Sequence, residues 1–230
     1  MTSATAPLCA ISGYVRMRQH RRNLLAVYEK YAAFTMIPQS DYLLNLQLAE
    51  TVSEIEGAVV ECGVWRGGMI AGIAEVLGGS REYILCDSFQ GLPKAQPIDG
   101  QAALTWQSDP EGPTYHDNCT ATEEVARGAI ELSPARRIRV VAGWFDKTLP
   151  HMSVEGGIAL LRLDADWYES TMTCLEALWG RVVPGGLVIV DDYYTWDGCA
   201  RAVHEFLSRR KSSARIRQRA GAICYIRVPE

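Results

Sequence analysis

Two short apolar runs, each ending in a pair of aspartates, constrain this chain more than any other feature. Ile158-Ala159-Leu160-Leu161-Arg162-Leu163 ends in Asp164-Ala165-Asp166, and Gly186-Leu187-Val188-Ile189-Val190 ends in Asp191-Asp192. Runs of this length, rich in branched side chains and bounded by Gly or charge, read as buried parallel strands. Between them Tyr168 to Arg181 has helical spacing, with Met172, Leu175, Leu178 and Trp179 on one face, and Pro184-Gly185-Gly186 ends it. A right-handed crossover brings both strand ends to one edge of the sheet, the edge where open α/β sheets place their ligands. Four carboxylates therefore converge. Like charges so close raise one another's pKa unless a cation neutralises them, and hard divalent cations such as Mg²⁺ take oxygen ligands of this kind. The competing reading is a set of N-caps and solvated loop acids.

The first strand, Gly57 to Cys62, runs into Gly63-Val64-Trp65-Arg66-Gly67-Gly68 and a helix from Met69 to Leu77. Such a turn lets a ligand approach the backbone and aims helix N–H groups at its polar atoms. Its G-x-x-x-G-G spacing departs from the G-x-G-x-x-G of nicotinamide-binding folds, which counts against a dehydrogenase. The second strand, Glu82 to Cys86, ends at Asp87, placed to accept hydrogen bonds from a ribose diol or to cap the Ser88–Leu92 turn. Turn and acid together point to a nucleoside-bearing cofactor. Trp144-Phe145, after a third strand from Ile138 to Gly143, offers aromatic surface to a cofactor base or to the core.

Elsewhere, Met1 to Ala10 reads as a disordered tail, Arg16 to Ala33 as a helix with a basic start, and Tyr42 to Glu54 as a second helix, the pair covering one mouth of the sheet. Pro93 to Asn118, rich in Pro, Gly, Asp and Gln, reads as a mobile loop over the pocket. Helices are expected from Thr120 to Leu132 and from Gly198 to Arg210, and Arg215–Arg219 with Ala222–Val228 reads as an antiparallel edge hairpin. His116 and His151 are alternative bases.

The chain has 230 residues, enough for one large α/β domain: a tail and helical cap over residues 1–52 and a catalytic domain over 53–230. A net charge of −4 gives no basic excess for nucleic acid. Seven scattered cysteines without C-x-x-C spacing imply reduced thiols and a cytoplasmic setting. No apolar stretch reaches the roughly 18 residues of a membrane helix. Apolar residues in the N-terminal helices leave room for a homo-oligomer.

Six segments, in order, carry a family resemblance: Thr35–Ile37, Glu61–Gly68, Asp87–Pro93, Gly143–Pro150, Asp164–Thr171 and Asp191–Tyr193. Through them the sequence resembles the TylF-type O-methyltransferases, S-adenosylmethionine- and Mg²⁺-dependent enzymes that methylate deoxysugar hydroxyls of antibiotics. The resemblance implies a class I SAM-dependent methyltransferase fold, a Rossmann-like α/β sheet of seven mostly parallel strands with an antiparallel last strand and an N-terminal helical extension. It implies that Glu61, Gly63, Trp65 and Gly67 line the methionine part of the cofactor, with Asp164 at the same edge. Asp87 and Ser88 would serve the ribose, Trp144 and Phe145 the adenine, and Thr35 the carboxylate. Asp164, Asp191 and Asp192 match metal ligands, and Asp166 matches the general base. The part before Thr35 is shorter than the resemblance leads one to expect. The acceptor implied is a small glycosylated molecule; a catechol or other phenol, or a non-catalytic binding protein on the same fold, are the alternatives.

Overall fold

The computed structural model describes residues 6–219, 221 and 223–229, and side chains from Met17 onward. α1 (Ala6–Tyr31) and α2 (Gln39–Glu50) precede β1 (Ala58–Cys62), α3 (Gly68–Leu77) and β2 (Glu82–Asp87). Then come α4 (Gln101–Ser108), α5 (Glu123–Glu131), β3 (Arg137–Ala142), α6 (Phe145–Thr148) and β4 (Ile158–Leu163). α7 (Tyr168–Leu178), β5 (Val182–Val190), α8 (Asp197–Arg209), β6 (Ile216–Arg219) and β7 (Ile223–Arg227) complete the order. The strands form one sheet in the order β3-β2-β1-β4-β5-β7-β6. β1 to β5 pair in parallel, and β7 lies antiparallel between β5 and β6, as the resemblance implies.

Alternation along the strands builds two cores. Cys62, Ile84, Leu161 and Val188 face α7 and α8, meeting Leu175, Leu178, Val203 and Phe206. Val59, Leu85, Leu160 and Ile189 face the opposite way, toward Leu24, Leu46, Ile70 and Ala126 of α1, α2, α3 and α5. The N-terminal helices are thus part of a sheet-covering layer, not a cover over its mouth; the connection between them, Phe34 to Pro38, and Asp41 in the first turn of α2 reach the cavity at the strand ends.

Three further expectations change. Ala6 to Ala10 are the start of α1 and not a tail, while residues 1–5 lie outside the described ones. Pro184-Gly185-Gly186 lies inside β5: β4 pairs Ile158 with Val182 and then Leu160 with Leu187, so β5 bulges there while its strand continues. Pro93 to Asn118 is not a structureless loop. It contains α4, and Gln107 binds it together, its amide donating to Pro93 O and Asn118 Oδ1 and its Oε1 accepting from Ala95 N.

α2 and α3 meet where Tyr42, fully buried, donates from its hydroxyl to Gly68 O at 2.7 Å. A Cβ at Gly72 would lie 1.9 Å from that hydroxyl oxygen. Helix propensity alone says Gly72→Ala should stabilise α3 by about 1 kcal/mol. Because buried Tyr42 has nowhere to move, we expect the opposite sign, a loss of about 1–3 kcal/mol from overpacking, read from the urea unfolding midpoint. A gain in stability would contradict this packing account.

Candidate active site

A cavity of about 710 Å³ opens at the carboxyl ends of the parallel strands, and each end contributes to its lining: Glu61 and Gly63 at the end of β1, Asp87 and Ser88 at the end of β2, Trp144 after β3, Asp164 after β4 and Asp191 after β5. Its volume lies within the usual range for small-molecule sites. Thr35, Trp65, Phe145, Asp166 and Asp192 also line it. Gly67 does not. It precedes α3 at φ 80°, and a Cβ there would lie 2.7 Å from Ala126 O, so its missing side chain admits α5 and not a ligand. Gly63 has a similar need at the cavity itself: at φ 85° a Cβ would sit 1.7 Å from Asp164 O, where β1 and β4 converge.

Asp87 ties the Gly-rich turn together. Val64 N and Trp65 N donate to its Oδ2 at 2.8 and 2.9 Å, and Phe89 N donates to Oδ1 at 2.8 Å. Burial pushes its carboxyl up and these amides pull it down. The ends of β1 and β2 are therefore locked to each other, and of about four acceptor positions on a carboxylate three are used within the protein. Ser88 and Thr35 are likewise engaged locally: Ser88 Oγ donates to Gly91 O and accepts from Gln90 N, and Thr35 Oγ1 accepts from Ile37 N.

The centre of the site is a cation that strand patterning hid. Arg162 in β4 is fully buried. Its Nη1 donates to Glu61 Oε1 at 2.6 Å and to Asp164 Oδ2 at 2.8 Å, its Nε donates to Asn45 Oδ1 at 3.3 Å, and its Nη2 lies 2.6 Å from Asp191 Oδ1. Glu61 and Arg162 are register partners across β1 and β4. Glu61 Oε2, also buried, has no hydrogen-bond partner among the described residues. Burial pushes the Glu61 carboxyl up to about 7, with Arg162 pulling against it. A charged residue inside an apolar run was the available signal, because such a side chain is almost never buried unless paired.

Of the four strand-end aspartates, three form a tighter group. Asp164, Asp166 and Asp192 each place an oxygen within 4.8 Å of the others, a spacing and donor chemistry that fit one hard divalent cation. Asp191, in the expected ligand set, turns instead to Arg162, and Asp166 stands in its place. Asp166 has a left-handed backbone at φ 53°; its N–H donates to Asp192 Oδ2, and Trp196 Nε1 donates to its Oδ1, both at 3.0 Å. Burial, reinforced by the Asp164 charge, raises the Asp166 carboxyl to about 8. Burial raises Asp164 to about 6 against the pull of Arg162, and Asp192 rises well above the ordinary range through burial and Asp166.

Beside the aspartates stand tryptophans that periodicity could not assemble. Trp106, Trp167 and Trp196 stand edge to face, with ring centroids 6.2 Å (106–167), 5.9 Å (106–196) and 5.3 Å (167–196) apart. Trp167 Nε1 donates to Pro93 O, docking the segment before α4. His116 and His151, read as alternative bases, are both exposed and neither lines the cavity.

The chain is similar to known proteins over most of its length. The sequence profile described as macrocin-O-methyltransferase (TylF) matches residues 15–227. The 8-demethyl-8-(2,3-dimethoxy-alpha-L-rhamnosyl)-tetracenomycin-C 4'-O-methyltransferase of Streptomyces olivaceus is 38% identical over 179 residues, covering 72% of this chain and 64% of the relative. The mycinamicin III 3''-O-methyltransferase of Micromonospora griseorubida is 34% identical, covering 70% and 65%. The alignments thus span just under two thirds of the length of these curated relatives. Among solved structures, the O-methyltransferase NovP superposes with a TM-score of 0.71 at 29% identity, over 86% of this chain and 83% of that one.

Two outcomes follow from the charges. Arg162→Met leaves three acids facing one another and should cost about 3–5 kcal/mol of stability near pH 8 by urea unfolding, with a smaller loss near pH 5 where Glu61 and Asp164 take up protons; equal losses at both would contradict the charge account. For Asp166 the folded pKa of about 8 lies above the ~3.9 of a free aspartate. The folded state then binds the extra proton between these values, so the stability this group contributes is fully present below about pH 4 and lost as pH rises through 8. In chelator-treated protein the wild type should lose stability relative to Asp166→Asn across that window; parallel pH curves would refute the shift.

Proposed function

Because the chain belongs to the macrocin-O-methyltransferase (TylF) family, we propose that it transfers the methyl group of S-adenosylmethionine to a hydroxyl on a sugar of a small natural product, with Asp166 as general base and Mg²⁺ as a second cofactor. One observation carries the reading: a single cavity joins the Gly-rich turn and the unpartnered Glu61 Oε2 to the aspartate trio. Residues 53–230 would be the methyltransferase domain and residues 1–52 its tail and helical cap. The rhamnosyl group in the name of the Streptomyces olivaceus relative supports a sugar as the acceptor. No described helix is long and apolar enough to cross a membrane.

In this proposal the buried Glu61 Oε2 accepts from the cofactor's α-ammonium, a match of one unsatisfied acceptor with a charged donor. Gly63 and Trp65 let the methionine chain lie against the turn, while Gly67 acts only through packing. The remaining acceptor capacity of Asp87 takes a ribose hydroxyl beside Ser88, Thr35 flanks the carboxylate, and Trp144 and Phe145 cover the adenine. Asp164 and Asp192, the acids common to the expected ligand set and the observed trio, would hold the cation, whose Lewis acidity lowers the pKa of an acceptor hydroxyl. Asp191 would join them only by leaving Arg162.

The sulfonium methyl is already an electrophile, so the protein's task is to align and deprotonate a nucleophile. When bound, S-adenosylmethionine would supply that methyl, the acceptor oxygen bonding to its carbon as the carbon–sulfur bond breaks and the electron pair stays on sulfur. The hydroxyl proton passes to Asp166, whose Oδ1 is steadied by Trp196 Nε1, leaving Oδ2 to receive it. The left-handed backbone at Asp166 aims its N–H at Asp192 Oδ2, and its carboxylate lies within 4.8 Å of those of Asp164 and Asp192.

Calorimetric titration with S-adenosylmethionine, with and without Mg²⁺, tests the cofactor assignment. Glu61→Gln should weaken binding by roughly 1.5–3 kcal/mol, the value of a charge-assisted hydrogen bond. Asp166→Asn should retain cofactor binding and lower kcat on deoxysugar glycosides by about 10²–10⁴. Absence of cofactor binding, or full turnover by Asp166→Asn, would reject the proposal.

A further inference from the structure

A second cleft of about 400 Å³ adjoins the cavity and shares Trp106, Thr114 and Trp196 with it. Trp196 stands between the two spaces: its Nε1 donates to Asp166 Oδ1 in the first, and its ring lines the second. Trp106 is fixed as well. It packs edge to face on Trp167 and Trp196, and its Nε1 donates to Thr114 O at 3.2 Å. The indole surfaces of the cleft are therefore preorganised, which spares a ligand the cost of ordering them.

The rest of the lining mixes small apolar residues, Ala102, Gly112 and Pro113, with polar side chains. Gln101 and Thr105 stand one turn apart on α4, linked by a 3.2 Å hydrogen bond from Gln101 Nε2 to Thr105 Oγ1, and Asp109 follows the helix with an exposed carboxylate. Gln101 offers a donor and an acceptor, Thr105 both, and Asp109 two acceptor oxygens. Indole faces on one side and a rim of small polar side chains on the other match a pyranose ring, which has an apolar C–H face and a polar edge of hydroxyls. A flat aromatic aglycone would meet the same indoles but leave the polar rim without partners, at a desolvation cost.

We propose that this cleft is a subsite for a second sugar ring, joined by a glycosidic bond to the ring whose hydroxyl meets Asp166. The inference rests on the methyltransferase reading and extends it to the acceptor's class. One indole separates the cleft from Asp166, and an indole is about as long as a pyranose, so the adjoining ring of a disaccharide reaches the cleft when the first is seated at the aspartates. The arrangement also places methylation after the glycosyl transfer that adds the second ring.

The test compares equilibrium binding, in the presence of S-adenosylhomocysteine, of the methyl glycoside of a single 6-deoxyhexose, the methyl glycoside of a 6-deoxyhexose disaccharide, and a planar naphthol. The disaccharide should bind about tenfold more tightly than the monosaccharide, as expected for one or two added hydrogen bonds. Asp109→Ala and Gln101→Ala, both at exposed positions, should each remove most of that excess and leave monosaccharide affinity as it was. Equal affinity for the two saccharides, no binding of either, or an excess that survives both substitutions would overturn the subsite. So would a naphthol that binds best and depends on the same residues. Failure of the methyltransferase reading is registered separately, by absent cofactor binding, since the saccharide ratios require no turnover.

Discussion

A guanidinium without access to water holds the site together. Arg162 touches an asparagine on α2, a glutamate on β1 and the aspartates that follow β4 and β5. Removing it would leave buried like charges whose desolvation nothing offsets, and that penalty can exceed the attraction that an ion pair gains. The carboxylates at the strand ends are tolerable because a positive partner, Arg162, is built into the sheet. The cavity is consequently divided into a part paired to the cation, Glu61 and Asp191 against Arg162, and an acidic trio, Asp164, Asp166 and Asp192, whose oxygens converge on one point. Asp164 belongs to both.

The parts of this design that follow from regular periodicity were legible in the sequence. Apolar runs with acids at their ends located β4 and β5, and the Gly-rich turn with Asp87 located the opposite side of the cavity. Parallel strands on a right-handed crossover must deliver both sets to one edge. The bulge in β5 was not legible, because Pro-Gly-Gly is the same punctuation whether it ends a helix or bends a strand. The segment from Pro93 to Asn118 was misread for a related reason: its composition is that of a loop, and α4 is fixed by distant partners, Trp167 and Trp196, that local propensity cannot see.

Side-chain direction set the other limit. Asp87, Ser88 and Thr35 line the cavity, yet much of their hydrogen-bonding capacity is spent on neighbouring backbone, a competition that short polar residues enter wherever turns are tight. Asp191 and Asp192 are adjacent in sequence and face different partners, one the buried arginine and the other the Asp166 amide. Residue type and spacing brought four acids together; only the position of Arg162 decides which three share one point in space.

The distribution of tryptophan has an optical consequence. Of six in the chain, Trp65, Trp106, Trp144 and Trp196 line the cavity, and Trp167 packs directly behind two of them. Only Trp179, edge to face with Phe206 in the α7–α8 layer, belongs to the distant core. Intrinsic emission from this protein is thus dominated by chromophores around its ligand space, near enough for excitation to pass among three of them. The spectrum is a label on site occupancy that needs no dye, whereas global unfolding is better followed through the backbone by circular dichroism.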